Sequence, residues 1–133
     1  MTIFTRIAKG EIPSYKVAED EHYYAFLDIN PLAPGHTLVI PKDVEDDYIF
    51  NLDEETYAGL WAFARKVAVA IKAAVPCKRV GVAVLGMEVP HTHIHLVPLQ
   101  TEGDLDFRKK RPEVTPEQHK AIAASILSEY EKL

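Results

Sequence analysis

Cysteine is almost missing from this chain. Cys77 is the only one in 133 residues, so no disulfide can close within it and no cysteine-rich zinc site can exist. A reducing, cytoplasmic setting fits that usage. Positive charge is not in excess either. The net charge of −5 argues against non-specific nucleic-acid binding. The one basic run, Arg108-Lys109-Lys110-Arg111, reads as a solvated loop. No apolar stretch approaches membrane-spanning length. The opening Met1-Thr2-Ile3-Phe4-Thr5-Arg6 lacks the apolar core and small-residue pattern of a signal peptide. Repeats and low-complexity tracts are lacking as well. What is left is 47% hydrophobic and 26% charged, the balance of a globular protein. Residues 1–133 suit one domain, and such a chain buries about two-thirds of its unfolded surface.

Against that plain background one segment stands out: His91-Thr92-His93-Ile94-His95-Leu96-Val97-Pro98. β-Branched and aliphatic residues fill the gaps between the histidines, so the segment reads as a strand. Alternation then sends all three imidazoles to one face, across about 13 Å, and Thr92, Ile94 and Leu96 to the other. Imidazole exchanges protons near neutral pH, attacks electrophiles and ligates metals. The pattern therefore admits acid–base or nucleophilic chemistry, a metal site or a structural cluster. Zinc could sit on two imidazoles with Glu88 or His36, although the outer histidines lie too far apart for all three to reach one ion.

The remaining pattern predicts a mainly antiparallel α+β domain. A short helix fits residues 2–9, ended by Gly10. Strands fit Tyr15–Ala18 and Tyr23–Asp28, joined by an acidic turn. The turn-rich Asn30-Pro31-Leu32-Ala33-Pro34-Gly35 leads to a strand at Thr37–Ile40. A long helix starts after Asn51 or Asp53, with Glu54 completing a capping box from Asn51. Its stripe is Tyr57, Leu60, Trp61, Ala64, Val67, Ala68 and Ile71, which makes Trp61 core. Val80–Leu85 and His93–Val97 read as apolar strands. Thr115-Pro116-Glu117-Gln118 opens a last helix with a capping box and a proline at its first position. Its apolar face is Ile122, Ile126, Leu127 and Tyr130. His22 and His119 read as surface residues.

The triad strand and several other segments together resemble the histidine-triad family of nucleotide-binding proteins. His91 to Val97 matches the family's alternating signature, with Thr92 in an apolar position. Ile3-Phe4-Thr5-Arg6-Ile7 with Gly10-Glu11-Ile12-Pro13 is similar to its opening. Phe26 to Pro31, Ala33 to His36 and Leu38 to Lys42 are similar to its central strand, loop and strand. The likeness covers about residues 2–98 and leaves an extension of about 101–133. It implies a five-stranded antiparallel sheet with a long helix packed on it, followed by a C-terminal helix, usually as a homodimer. It also implies hydrolysis or transfer at the α-phosphate of a purine nucleotide, such as a phosphoramidate or a dinucleoside polyphosphate, with no required cofactor. On that resemblance His93 is the nucleophile, His95 a phosphate donor, and His91 a donor that orients the neighbouring strand. The nucleotide-binding positions are Ile3, Phe4, Ile7, Phe26 and Ile29 around the base, Asp28 on the ribose, and His36, Gly86 and Glu88 near the phosphate. From the residues alone, Asp28 could equally cap a turn.

The chain also departs from that family. Its loop before the triad is about five residues short. Leu85, Met87 and Glu88 stand where the family has an amide, a glutamine and a hydroxyl residue. Three readings follow: a nucleotidyl hydrolase, a metal site, or a nucleotide-binding protein without turnover.

Overall fold

The computed structural model describes residues 1–133. A five-stranded antiparallel sheet organises the chain, in the order β1-β2-β3-β5-β4. The strands are β1 (Lys16–Glu19), β2 (Tyr23–Leu27), β3 (Thr37–Pro41), β4 (Arg79–Ala83) and β5 (Ile94–Leu99). The helices are α1 (Ile3–Ala8), α2 (Glu54–Ala74) and α3 (Pro116–Glu131), with short 3₁₀ turns at Ile49–Asn51 and Glu102–Leu105. No helix is long and apolar enough to cross a membrane.

Sequence dictates the ends of these elements through caps. Thr2 caps α1 by accepting from the Thr5 N–H. Asp53, not Asn51, caps α2: its carboxylate accepts the Thr56 N–H at 2.7 Å, so the Asn51–Glu54 capping box is not used. Thr115 and Gln118 form the reciprocal box that opens α3, with Pro116 in its first turn, where a missing N–H costs nothing.

The central strands β2 and β3 are buried along their whole length, because both sheet faces are covered. On one face Ala25, Leu27, Val39, Ile94 and Leu96 meet Leu60, Phe63, Val67 and Ile71 of α2 and Ala123 and Ile126 of α3. Trp61 packs half-buried against this core. On the other face α1 lays Phe4 and Ile7 over Tyr24, Phe26, Leu38 and Ile40. Period-two alternation in β2 and β3 thus feeds two cores. The edges are β1 and β4. Burying Leu60, Ile71, Ile94, Leu96 and Ile126 contributes about 1.5–3 kcal/mol for each side chain.

Three expectations shift. The fifth strand starts at Ile94, so His91, Thr92 and His93 precede it. The reason is local: the Thr92 N–H and hydroxyl both donate to the Asp46 carbonyl, which takes that residue out of the ladder. The fourth strand ends at Ala83, leaving Leu85 exposed. His119 is not a surface residue. It is buried, stacks on Tyr15 at 5.0 Å between ring centroids, and its Nδ1 has no hydrogen-bond partner. His22 is solvent-exposed, as expected.

Candidate active site

The face of β5 that carries His95 also carries, at its N-terminal approach, His91 and His93. Register places Leu38 of β3 beside His95, and the adjoining strand end of β3 leads back to His36. The four histidines are buried; His36, His91 and His93 each have a backbone partner, and His95 is paired with the His36 ring.

His36 is fully buried, and its Nδ1 accepts the Leu32 N–H at 2.9 Å. Burial pushes it down to about 3, helped by His95 and Arg111, so the neutral ring carries its proton on Nε2. That Nε2–H donates to His95 Nδ1 at 3.0 Å. His95, which burial drives down to about 4, must then carry its own proton on Nε2. A backbone N–H at Leu32 therefore sets His95 as a donor two rings away. A histidine's function rests on this choice of nitrogen.

His93 is arranged the opposite way. Its Nδ1 lies 2.8 Å from the His91 carbonyl, and a carbonyl only accepts. Nδ1 carries the proton, and Nε2 keeps its lone pair. Burial holds His93 below its usual range, while the His91 carbonyl, Asp28 and Glu88 pull it back up. Phe4 meets its ring edge-on at 5.1 Å, and the His95 ring lies 4.9 Å away. His91 donates from Nε2 to the Pro41 carbonyl at 2.8 Å. Its Nδ1 accepts from the Thr2 hydroxyl at 2.7 Å. The first histidine thus ties the approach to β5, the end of β3 and the cap of α1 together.

A cavity of about 260 Å³ opens over His93 and His95. Asp28, Gly86, Glu88 and Arg111 also line it. Asp28 caps its turn and also lines the cavity. One oxygen accepts the Asn30 N–H at 2.9 Å and caps the turn, and the other lies 3.7 Å from His36 Nε2. Burial raises its carboxyl above the usual range, with Asn30 and Arg111 opposing. Gly86 has φ +71, and a Cβ there would lie 2.7 Å from the Asp47 carbonyl oxygen. A non-glycine residue would displace the loop, so glycine keeps the short loop against residues 46–47. A larger, open groove runs past Pro34, Pro76, Pro98 and Lys110 and shares only Arg111 with this cavity. It contains none of the histidines.

A family model described as the HIT domain matches residues 9–102. The chain belongs to the histidine-triad family. It is similar to the protein named hit of Bacillus subtilis, 36% identical over 135 residues, covering 93% of this chain and 90% of that one. It is 37% identical over 101 residues to an adenosine 5′-monophosphoramidase, HNT1, of Saccharomyces cerevisiae, covering 75% of this chain and 63% of that protein. Among solved structures, a zinc-bound histidine-triad protein of Mycobacterium smegmatis matches with a TM-score of 0.80 at 28% identity, covering 98% of this chain and 94% of that one.

That last likeness raises zinc again. Asp28, His36 and His95 place ligand atoms within 4.8 Å of one another, a set that includes His36 and one triad histidine but replaces the second triad histidine of the sequence expectation (a triad pair with Glu88 or His36) by Asp28. The donor chemistry does not fit. His36 Nδ1 is engaged by Leu32, its Nε2 carries a proton, and that proton occupies the His95 lone pair. Metal ligation needs a free imidazole lone pair. To offer Nε2 to a cation, His36 would have to carry its proton on Nδ1, where it would face the Leu32 N–H.

The histidine-triad residues anticipated from sequence sort into three groups. Asp28, Gly86, Glu88, His93 and His95 share the cavity, and His36 and His91 stand behind it as proton-fixing supports. Phe4, Ile7 and Phe26 are buried in the smaller core, whereas Ile3 and Ile29 are 50% and 79% exposed. Two site residues were not anticipated. Phe107 meets His95 edge-on at 4.9 Å and His36 at 6.4 Å, and Arg111 belongs to the basic run that reads as solvated. The segment after residue 101 thus returns to the site. A lone phenylalanine between Asp106 and Arg108 in a polar tract was the available signal.

Proposed function

We propose that the chain hydrolyses or transfers nucleotides at the α-phosphate through a nucleotidyl group carried on His93. The carrying observation is the hydrogen bond from His93 Nδ1 to the His91 carbonyl. It leaves Nε2 as an unprotonated nucleophile facing the cavity, and burial keeps the ring neutral. In the first step Nε2 forms a bond to the α-phosphorus. The bond to the leaving group breaks, and that group departs with the electron pair and takes a proton from solvent. His95 Nε2–H donates to a non-bridging oxygen as negative charge gathers there. In the second step water attacks phosphorus, the N–P bond breaks, and the nucleoside monophosphate leaves with its extra proton lost to solvent. His93 is restored.

Asp28 would accept from the ribose hydroxyls, a role supported by its place in the cavity lining. Ile3 and Ile29 would contact the purine, a role supported by their exposed apolar side chains. The name of the yeast relative supports a nucleoside phosphoramidate as substrate. A symmetric homodimer accompanies this reading. It is supported by the edge position of β4 and by the exposure of Val69, Val82 and Leu85. Turnover of adenosine 5′-phosphoramidate by the purified chain tests the proposal: steady release of AMP supports it, and no release above the uncatalysed rate rejects it.

A further inference from the structure

The cavity over His93 is short of positive charge. Two carboxyl groups, Asp28 and Glu88, line it, and Arg111 is the only lysine or arginine that does so. His93 and His95 are held neutral by burial. The loop before the triad brings Leu85 and Met87, whose side chains have no donor, and Glu88, an acid. A phosphomonoester would bring about 1.5–2 further negative charges.

Arg111 is held in place with capacity to spare. One guanidinium nitrogen donates to the Asn30 carbonyl at 2.6 Å, the other terminal one to the Phe107 carbonyl at 3.2 Å. The cation lies 5.8 Å from the centroid of the Phe107 ring, and that ring packs on His95. Asn30 is in turn bound to Asp28 through its backbone N–H. Two of the five guanidinium N–H groups are used, so three are free. A fixed, planar, permanently charged donor fork is the group best matched to phosphate oxygens.

We propose that Arg111 is a substrate-binding residue whose free N–H groups pair with the nucleotide phosphate, supplying the cation that the loop before the triad does not. This rests on the nucleotide reading above. It also gives the segment after residue 101 a place in recognition: the 3₁₀ turn at Glu102–Leu105 carries the chain back so that Phe107 and Arg111 close one side of the cavity.

The test is calorimetric titration of the intact chain with AMP and, separately, with adenosine, in the wild type, Arg111→Met and Arg111→Lys. A hydrogen-bonded charge pair of this kind corresponds to about tenfold to a hundredfold in affinity. Arg111→Met should weaken AMP by at least tenfold, leave adenosine within twofold, and flatten the salt dependence of AMP binding. Arg111→Lys should fall between. Equal weakening of AMP and adenosine would make Arg111 a strut for Asn30 and Phe107 and overturn the proposal. So would an unchanged preference for AMP over adenosine in Arg111→Met, which would leave the nucleotide reading standing. A wild-type chain that binds neither ligand would overturn that reading itself.

Discussion

His36 Nε2 lies 3.0 Å from His95 Nδ1, and through that bond the backbone at Leu32 determines which nitrogen of His95 carries its proton. The link runs one way, because the Leu32 N–H can only donate and each neutral imidazole has one donor and one acceptor. His36 therefore acts through another residue and touches no reacting atom. Replacing it with alanine should lower turnover of a phosphoramidate about tenfold to a hundredfold while Arg111 and Asp28 still hold AMP. It should also cost about 1–3 kcal/mol of stability, since the buried Leu32 N–H loses its acceptor. Turnover and urea midpoint measured together check both. His36→Asn, which can restore an acceptor, should recover stability more than turnover.

Acid should unfold this protein by a route set by its histidines. His36 is pushed down to about 3 and His95 to about 4 by burial, whereas in the unfolded chain both titrate near 6.5. Between those limits the unfolded state binds more protons. Stability is thus fully present above about pH 6.5 and falls on acidification, by up to about 1.4 kcal/mol per pH unit for each histidine. Urea midpoints from pH 7.5 to 4.5 should decline accordingly. His36→Asn should show a shallower decline than the wild type.

Glu88 is exposed and among the residues that line the cavity, and its charge is felt at both His93 and Asp28. A carboxylate there disfavours an anionic leaving group and favours a cationic one. Glu88→Gln should raise the rate for neutral-leaving-group substrates relative to cationic amine ones by about tenfold, part of the roughly 3 kcal/mol between unit charges about 6 Å apart at an effective dielectric of about 20. Competition kinetics with the two substrate classes measure this ratio. Equal effects on both would remove Glu88 from recognition.

Much of this site was legible because its chemistry is written locally. The alternation of His91, His93 and His95 needs only a period of two, whereas Asp28 and His36 were legible as site residues only through the family resemblance, since from the residues alone either could be structural. Phe107 and Arg111 could not be read that way. They reach the site by the return of the chain after β5, a long-range contact that no local pattern carries. His119 was misread although its signal was present: His119, Ala123 and Ile126 follow the i, i+4, i+7 spacing of a buried helix face. In the fold, the long helix and the capping box of α3 were readable from periodicity and caps. The start of β5 was not, since the pairing of Thr92 with Asp46 depends on a residue 46 positions away.

The edge strand β4 and the exposed Val69, Val82 and Leu85 predict self-association. Light scattering at micromolar concentration should give twice the chain mass, and Val82→Asp should shift the population toward the monomer by placing a charge on the edge. A monomer mass for the wild type would contradict the dimer.

The central claim concerns one atom, His93 Nε2. The most direct measurement compares the wild type with His93→Ala in adenosine 5′-phosphoramidate turnover, with AMP binding measured on the same preparations. Arg111, His95 and Asp28 remain in the variant, so AMP should still bind, while turnover should fall by several orders of magnitude, as removal of a nucleophile requires. Near-wild-type turnover in His93→Ala would contradict the account.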